Sequence, residues 1–226
     1  MARVGLTRAV LSALTLLTVA GREAAALAQS AAPTRSIEVV TAPWKIAGVG
    51  LGMTPAEVGA ALSKAGYKLD YRYPGRSWQG EVSNLRSIRI PVGAQVTTKE
   101  DYQKGQEQIQ VWYLAGRAGP YVSGVKYSIS SNAIEAEPFR AAALAKYGKP
   151  SLRWDWESLY CSAREPQCSR TGALVTNQLP NLTVYVMNAT MRVLQLRQGE
   201  RADKAYYAAV RAEAERLYPK KDKPTF

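Results

Sequence analysis

The spacing of apolar residues changes period several times along the chain, and each change predicts an element. From Thr54, apolar residues at Val58, Ala61, Leu62 and Ala65 fall on one face of a helix. Thr54-Pro55-Ala56-Glu57 supplies an N-cap, a proline at the first helical position and a glutamate at the third. Gly66 stops this helix, because glycine takes the left-handed conformation without strain. The period then becomes two. Tyr67, Leu69, Tyr71 and Tyr73 share one face of a predicted strand and Lys68, Asp70 and Arg72 the other, up to Pro74-Gly75. Strands are also predicted at residues 37–41, 44–49, 86–92, 109–114 and 121–131, the last with Tyr121, Val125, Tyr127 and Ile129 inward. The polar stretch 93–108 reads as a long hairpin loop or a frayed helical turn.

The order then recurs. Glu137-Pro138 opens an Ala-rich helix that ends at Gly148, and Leu144-Ala-Lys146-Tyr-Gly148 echoes Leu62-Ser-Lys64-Ala-Gly66 at an offset of 82 residues. Strands are predicted at 152–160, 171–177, 182–187 and 191–196. A charged helix over 201–218 closes the chain, with Tyr207, Val210, Ala214 and Leu217 along its apolar stripe. Strands in succession after a single helix define an α+β protein: antiparallel sheets with helices packed on one face. The recurrence predicts two tandem helix-plus-sheet units, residues 44–134 and 135–218. A lead-in over 29–43 precedes them and a basic, disordered tail over 219–226 follows.

The first 28 residues do not belong to that plan. Arg3 and Arg8 precede an apolar run from Ala9 to Ala20, and Ala26-Leu27-Ala28 places small residues where a signal peptidase reads. The pattern predicts a signal peptide cleaved after Ala28 and a periplasmic or secreted protein. The run is too short to span a bilayer, and no later segment is long and apolar enough, so no transmembrane segment remains after cleavage.

Composition narrows the chemistry. The 226 residues contain no His and two Cys, which excludes catalytic triads with an imidazole, His-metal clusters and four-thiolate zinc or iron-sulfur sites built from this chain alone. No metal site or cofactor is expected. Charge matters more once the leader is removed. Residues 1–28 take three Arg and one Glu with them, leaving 27 basic and 17 acidic side chains, a formal net charge of +10. Basic charge on an exported protein points to an acidic envelope component or another envelope protein, and away from nucleic acid.

Three local features carry candidate chemistry. Cys161 and Cys168, seven apart at a turn in an exported chain, predict a structural disulfide. Trp154-Asp155-Trp156-Glu157 on a strand puts both carboxylates on one face, at a separation that overlaps those of glycosidases; indoles toward the core and acids toward water is the ordinary alternative. In the stretch 67–78, the aromatic residues Tyr71, Tyr73 and Trp78 interleave with Arg72 and Arg76. Aromatic plates beside cations hold sugars, nucleotides or acidic headgroups, and a half-buried strand with a charged outer face has the same composition.

Gly50-Leu-Gly-Met-Thr-Pro-Ala-Glu-Val58, with Leu62 after it, resembles the opening helix of small bacterial envelope domains of the outer-membrane assembly lipoprotein type and of the related β-lactamase-inhibitor-like fold. Ala145-Lys-Tyr-Gly-Lys-Pro150 is similar to the second helix end of uncharacterised exported proteins of this kind. The resemblance implies helices packed on antiparallel sheets, often in tandem, acting by binding. It assigns no site residue, and the lipid-bearing Cys of the assembly lipoproteins has no counterpart here. The expected function is therefore a soluble, non-catalytic binding protein of the envelope. The alternatives are a peptidoglycan hydrolase using Asp155 and Glu157, or an inhibitor of an exported enzyme.

Overall fold

A computed structural model describes residues 39–88, 95–162, 168–171, 174–186 and 190–219, with the backbone alone at 168–171 and 174–177. In chain order the elements are α1 (Pro55–Lys64), β1 (Lys68–Gly75), α2 (Trp78–Asn84), β2 (Val96–Lys104), β3 (Glu107–Gly116), β4 (Gly119–Ser130), α3 (Ala136–Tyr147), β5 (Leu152–Arg153), β6 (Glu157–Cys161), β7 (Cys168–Thr171), β8 (Leu174–Asn177), β9 (Asn181–Tyr185), β10 (Met191–Arg197) and α4 (Glu200–Leu217). Eight strands form one antiparallel sheet in the order β1-β2-β3-β4-β10-β9-β6-β5, and β7 and β8 pair separately. The α+β class is as the sequence pattern predicts.

The two predicted helix-plus-sheet stretches meet in this one sheet. Its halves join where β4 pairs with β10 from Met191↔Ser130 to Arg197↔Gly124, and Arg35–Phe226 makes a single compact unit. One core holds Val58 and Leu62 of α1, Ile109, Val111 and Val125 of the first half, and Phe139, Tyr160, Leu182 and Leu196 of the second. Phe139 of α3 stacks on Tyr127 at 6.5 Å. The start of α1 and the stops of α1 and α3 follow their local chemistry. Thr54 and Glu57 form the capping box, and Gly66 and Gly148 stand at φ 84 and φ 78 after α1 and α3.

The helices occupy both faces of the sheet rather than one. While α1 and α3 cover the core face, α4 lies with α2 against the Leu114 side, where Trp78, Val82, Tyr206, Val210 and Ala214 make a second apolar cluster. Trp78 meets Tyr206 edge to face at 5.9 Å, and the Tyr206 hydroxyl donates to the Ala115 carbonyl at 3.3 Å. Arg117 links the β3–β4 turn to this cluster, with its guanidinium 5.4 Å from the Trp78 ring centre and 2.9 Å from a carboxylate oxygen of Glu213. The buried stripe of α4 runs through Tyr206, Val210, Glu213 and Ala214. The predicted stripe members Tyr207 and Leu217 are exposed.

Several strand boundaries differ from the periodicity for identifiable reasons. Residues 44–49 form a tight turn closed by paired Ile46 and Val49 backbone hydrogen bonds of 2.9 and 2.8 Å, and 39–41 carry no strand. Of the predicted strand 86–92, residues 86–88 belong to the turn that follows the short α2 and the remainder lies outside the described residues; Ser77 caps α2 by accepting from the Gly80 N–H. The stretch 93–108 contains β2, whose core-facing positions are Glu100 and Tyr102, so hydrophobic alternation is silent there. Within β1 the register shifts between Leu69 and Tyr71, an extra residue that reverses which side chains face the core. Tyr67 is therefore buried in the core while Tyr71 and Tyr73 stand exposed on the other face. A second shift, after Trp112 opposite β4, turns Val122 inward and leaves Tyr121 on the α4 side.

Candidate functional site

The edge strand β1 is held to the sheet by three carboxylates. Glu100 has no exposed surface. It receives Arg72 Nε at 2.7 Å and Nη2 at 2.6 Å, the Tyr102 hydroxyl at 2.9 Å and the Tyr113 hydroxyl at 2.5 Å. Four charge-assisted donors satisfy a carboxylate that burial alone would strongly disfavour. Burial, and then donation to Glu100, push the Tyr102 and Tyr113 phenols well above their usual range. Tyr67 donates to Glu107, and Tyr73 donates to Asp101 at 3.0 Å, which makes its phenol harder to ionise and pushes its pKa up.

This geometry separates the residues that the sequence pattern grouped as a ligand surface. Tyr71 and Tyr73 are exposed and meet edge to face at 4.5 Å. Arg72 points to the other face and is committed to Glu100. Arg76 is exposed beyond the end of β1. Trp78 is buried beneath α4, with 8% of its surface exposed, and provides no plate for a ligand. The aromatic-basic stretch is thus partly a surface, partly an anchor and partly core.

Register extends Tyr71 and Tyr73 into two rows across the part of the Leu114 side that α2 and α4 leave open. One row runs Tyr73, Lys99, Trp112, Gly124 and Arg197, and the next runs Tyr71, Asp101, Gln110, Lys126 and Gln195. Lys99 sits between rings, its ammonium 4.6 Å from the Tyr73 centre and 5.9 Å from that of Trp112, and it pairs with Asp101 at 3.0 Å. A Cβ on Gly124 would come 3.7 Å from Trp112 Cε3, so the indole leans across the glycine. The Gln195 amide, oriented with its oxygen toward Arg197, accepts from Nε at 2.9 Å and Nη2 at 2.8 Å. Trp112, Gln110, Lys126 and Gln195 are partly exposed, and Arg197 is exposed. Among the described residues, neither Lys126 nor Arg197 has a carboxylate partner. Sequence reasoning missed this row of cations, rings and amides. Its only local trace was the outward set Gln108, Gln110 and Trp112 between the apolar positions of β3.

The carboxylate pair does not share a strand face. Trp154 N–H donates to the Glu157 carbonyl at 2.8 Å, which folds 154–157 into the turn between β5 and β6 and stacks Trp154 on Trp156 at 6.4 Å. Asp155 is exposed at the turn, whereas Glu157 is buried in β6 opposite Tyr185. Cys161 ends β6 and Cys168 begins β7, whose side chains lie outside the described residues, as does the predicted pairing. The signal segment 1–28 and the tail from 220 also lie outside them. The glycine-rich loop before α1 is tied down, with the Gly52 N–H donating to the Val122 carbonyl at 2.9 Å. No group of metal-ligating side chains and no helix long and apolar enough to cross a membrane occurs among the described residues.

Cavities lie outside the 154–157 turn. One of about 480 Å³ lies beside the start of α4 and includes Tyr121, Gln178, Gln198 and Arg201; a smaller one of about 160 Å³ lies under α3 beside Arg140, Arg153 and Tyr160. Neither contains Asp155 or Glu157. No family model, curated protein or solved structure matches the chain.

Proposed function

We propose that this chain is an exported, non-catalytic binding protein of the bacterial cell envelope that holds an acidic partner against the open face of its sheet. The observation that carries the reading is the pair of cations Lys126 and Arg197, which have no carboxylate partner among the described residues and stand beside exposed tyrosines and a partly exposed tryptophan. Desolvating an unpaired cation costs least when an anion arrives with it, so such a surface favours acidic ligands. The net charge of +10 on the processed chain draws the same partners from a distance. The processed protein, immobilised and exposed to an envelope extract, should retain an acidic component at low salt and release it at high salt. The Lys126→Glu/Arg197→Glu variant should retain none. Equal retention by both proteins would refute the role of this face.

Export and a Cys161–Cys168 bridge belong to the same reading. Protein recovered from the periplasm should begin at Gln29 by intact mass. It should resist alkylation until reduced, then take up two labels. The bridge would close an eight-residue ring and contribute roughly 2.5 kcal/mol.

A further inference from the structure

We infer that the open face of β1–β4 and β10 binds a carboxylated glycan, an assignment that rests on reading this face as the site of an acidic partner and names the chemistry of that partner. Four strand intervals separate Tyr73 from Arg197 along one row, about 19 Å at the usual strand spacing, enough for several sugar residues laid across the strands. Lys99 fixes the Tyr73 and Trp112 rings on either side of itself. They are therefore pre-organised plates, and ring faces of this kind take up the apolar face of a pyranose with little loss of side-chain freedom.

The inventory of groups chooses among acidic ligands. A polynucleotide or polyphosphate carries a charge at every residue and needs a cation for each. Among the described residues this face offers two cations without a carboxylate partner, a carboxylate at Asp101 that is already paired with Lys99 and Tyr73, and the neutral amides of Gln108, Gln110 and Gln195. Amides that both donate and accept match hydroxyls, and two cations match an occasional carboxylate. A protein partner would call for a desolvated apolar centre. The centre here is Gln110, Trp112, Gly124 and Lys126, with the aliphatic side chains Met191 and Val193 at one margin and Leu114 at the other, under α4. Rings, amides and a pair of cations together specify sugar rings bearing carboxylates.

Polygalacturonate oligomers serve as the probe, titrated against the processed protein with tryptophan fluorescence as readout. The same oligomers as methyl esters, poly-L-glutamate and oligo(dT) are the comparators. Polygalacturonate should bind more tightly than its ester and than either comparator. Trp112→Ala should weaken it about tenfold, the scale of one lost stacking partner. Lys126→Gln/Arg197→Gln should remove the preference for acid over ester while leaving ester binding in place. Should Trp112→Ala fail to fold, the double variant, whose side chains hold no ion pair, decides alone. Binding of polygalacturonate that neither variant changes overturns the assignment. Binding of poly-L-glutamate or oligo(dT) with no binding of the uronate overturns the glycan and leaves the acidic-partner reading standing. Failure to bind any polyanion overturns both.

Discussion

Glu100 shows how one residue determines what its neighbours are for. Its carboxylate is buried and collects Arg72 and two tyrosine hydroxyls, so Arg72, which looks in sequence like a ligand-binding cation, is an anchor. Glu100→Ala leaves two buried hydroxyls without an acceptor and should cost about 2–4 kcal/mol in urea denaturation. Arg72→Ala removes a side chain that is 53% exposed and should cost less, about 1–2 kcal/mol, because water replaces part of the lost contact. Equal costs would place the weight of the network on the arginine. The tyrosines add a pH dependence with a definite sign. Burial pushes Tyr121 and Tyr147 up to about 12, and Tyr67, Tyr102, Tyr113, Tyr127 and Tyr206 are also raised, chiefly by burial. The unfolded chain ionises near pH 10. Stability is therefore fully present below about pH 10 and is lost as pH climbs toward 12, at most ~1.4 kcal/mol per pH unit for each such phenol. Denaturation midpoints that are flat from pH 7 to 9 and fall steeply between pH 10 and 11 are the expected result; a flat profile to pH 11 would contradict it.

At the scale of elements, α2 and α4 depend on each other. Trp78→Ala should cost about 3 kcal/mol and lower hydrogen-exchange protection in α4 more than in β3 or β4, since Trp78 packs on Tyr206 and under Arg117. Gly199, immediately before α4, has φ 88 and no room for a side chain: a Cβ would stand 2.5 Å from the Leu179 carbonyl. Gly199→Ala should therefore destabilise the start of α4 by more than about 2 kcal/mol, read as lost protection in its first turn and a lower thermal midpoint. How much of each element was legible follows from where its instructions lie. The start of α1 is written within four residues, Thr54 to Glu57, and forms as written. By contrast, β2 turns Glu100 to the core, which no period of apolar residues announces. The stripe of α4 keeps Val210 and Ala214 but takes Tyr206 and Glu213 in place of Tyr207 and Leu217, because Trp78 and the Ala115 carbonyl set its angle from outside the helix. The split of Tyr67 from Tyr71 and Tyr73 rests on one bulge, a matter of pairing with β2.

For the whole molecule, the two predicted helix-plus-sheet stretches build one object. Because β4 and β10 pair along their lengths and the core takes residues from both halves, neither 44–134 nor 135–218 buries enough apolar surface alone. Each fragment should give a poorly dispersed amide spectrum by itself, while the intact processed chain should unfold in a single transition with coincident fluorescence and far-UV signals. A folded 44–134 fragment would show that the halves are independent domains.

The sequence by itself determined the boundaries of α1, α3 and α4, the alternation of most strands, the α+β class and the absence of histidine chemistry, because those depend on composition or on neighbours within a few residues. Only the tertiary structure decided which face each tyrosine takes, that Trp78 is core and Arg72 an anchor, and that Trp112, Lys126 and Arg197 stand together. These residues come from the β3–β4 hairpin and the distant β10, and their adjacency is created by register and bulges, which no local pattern records.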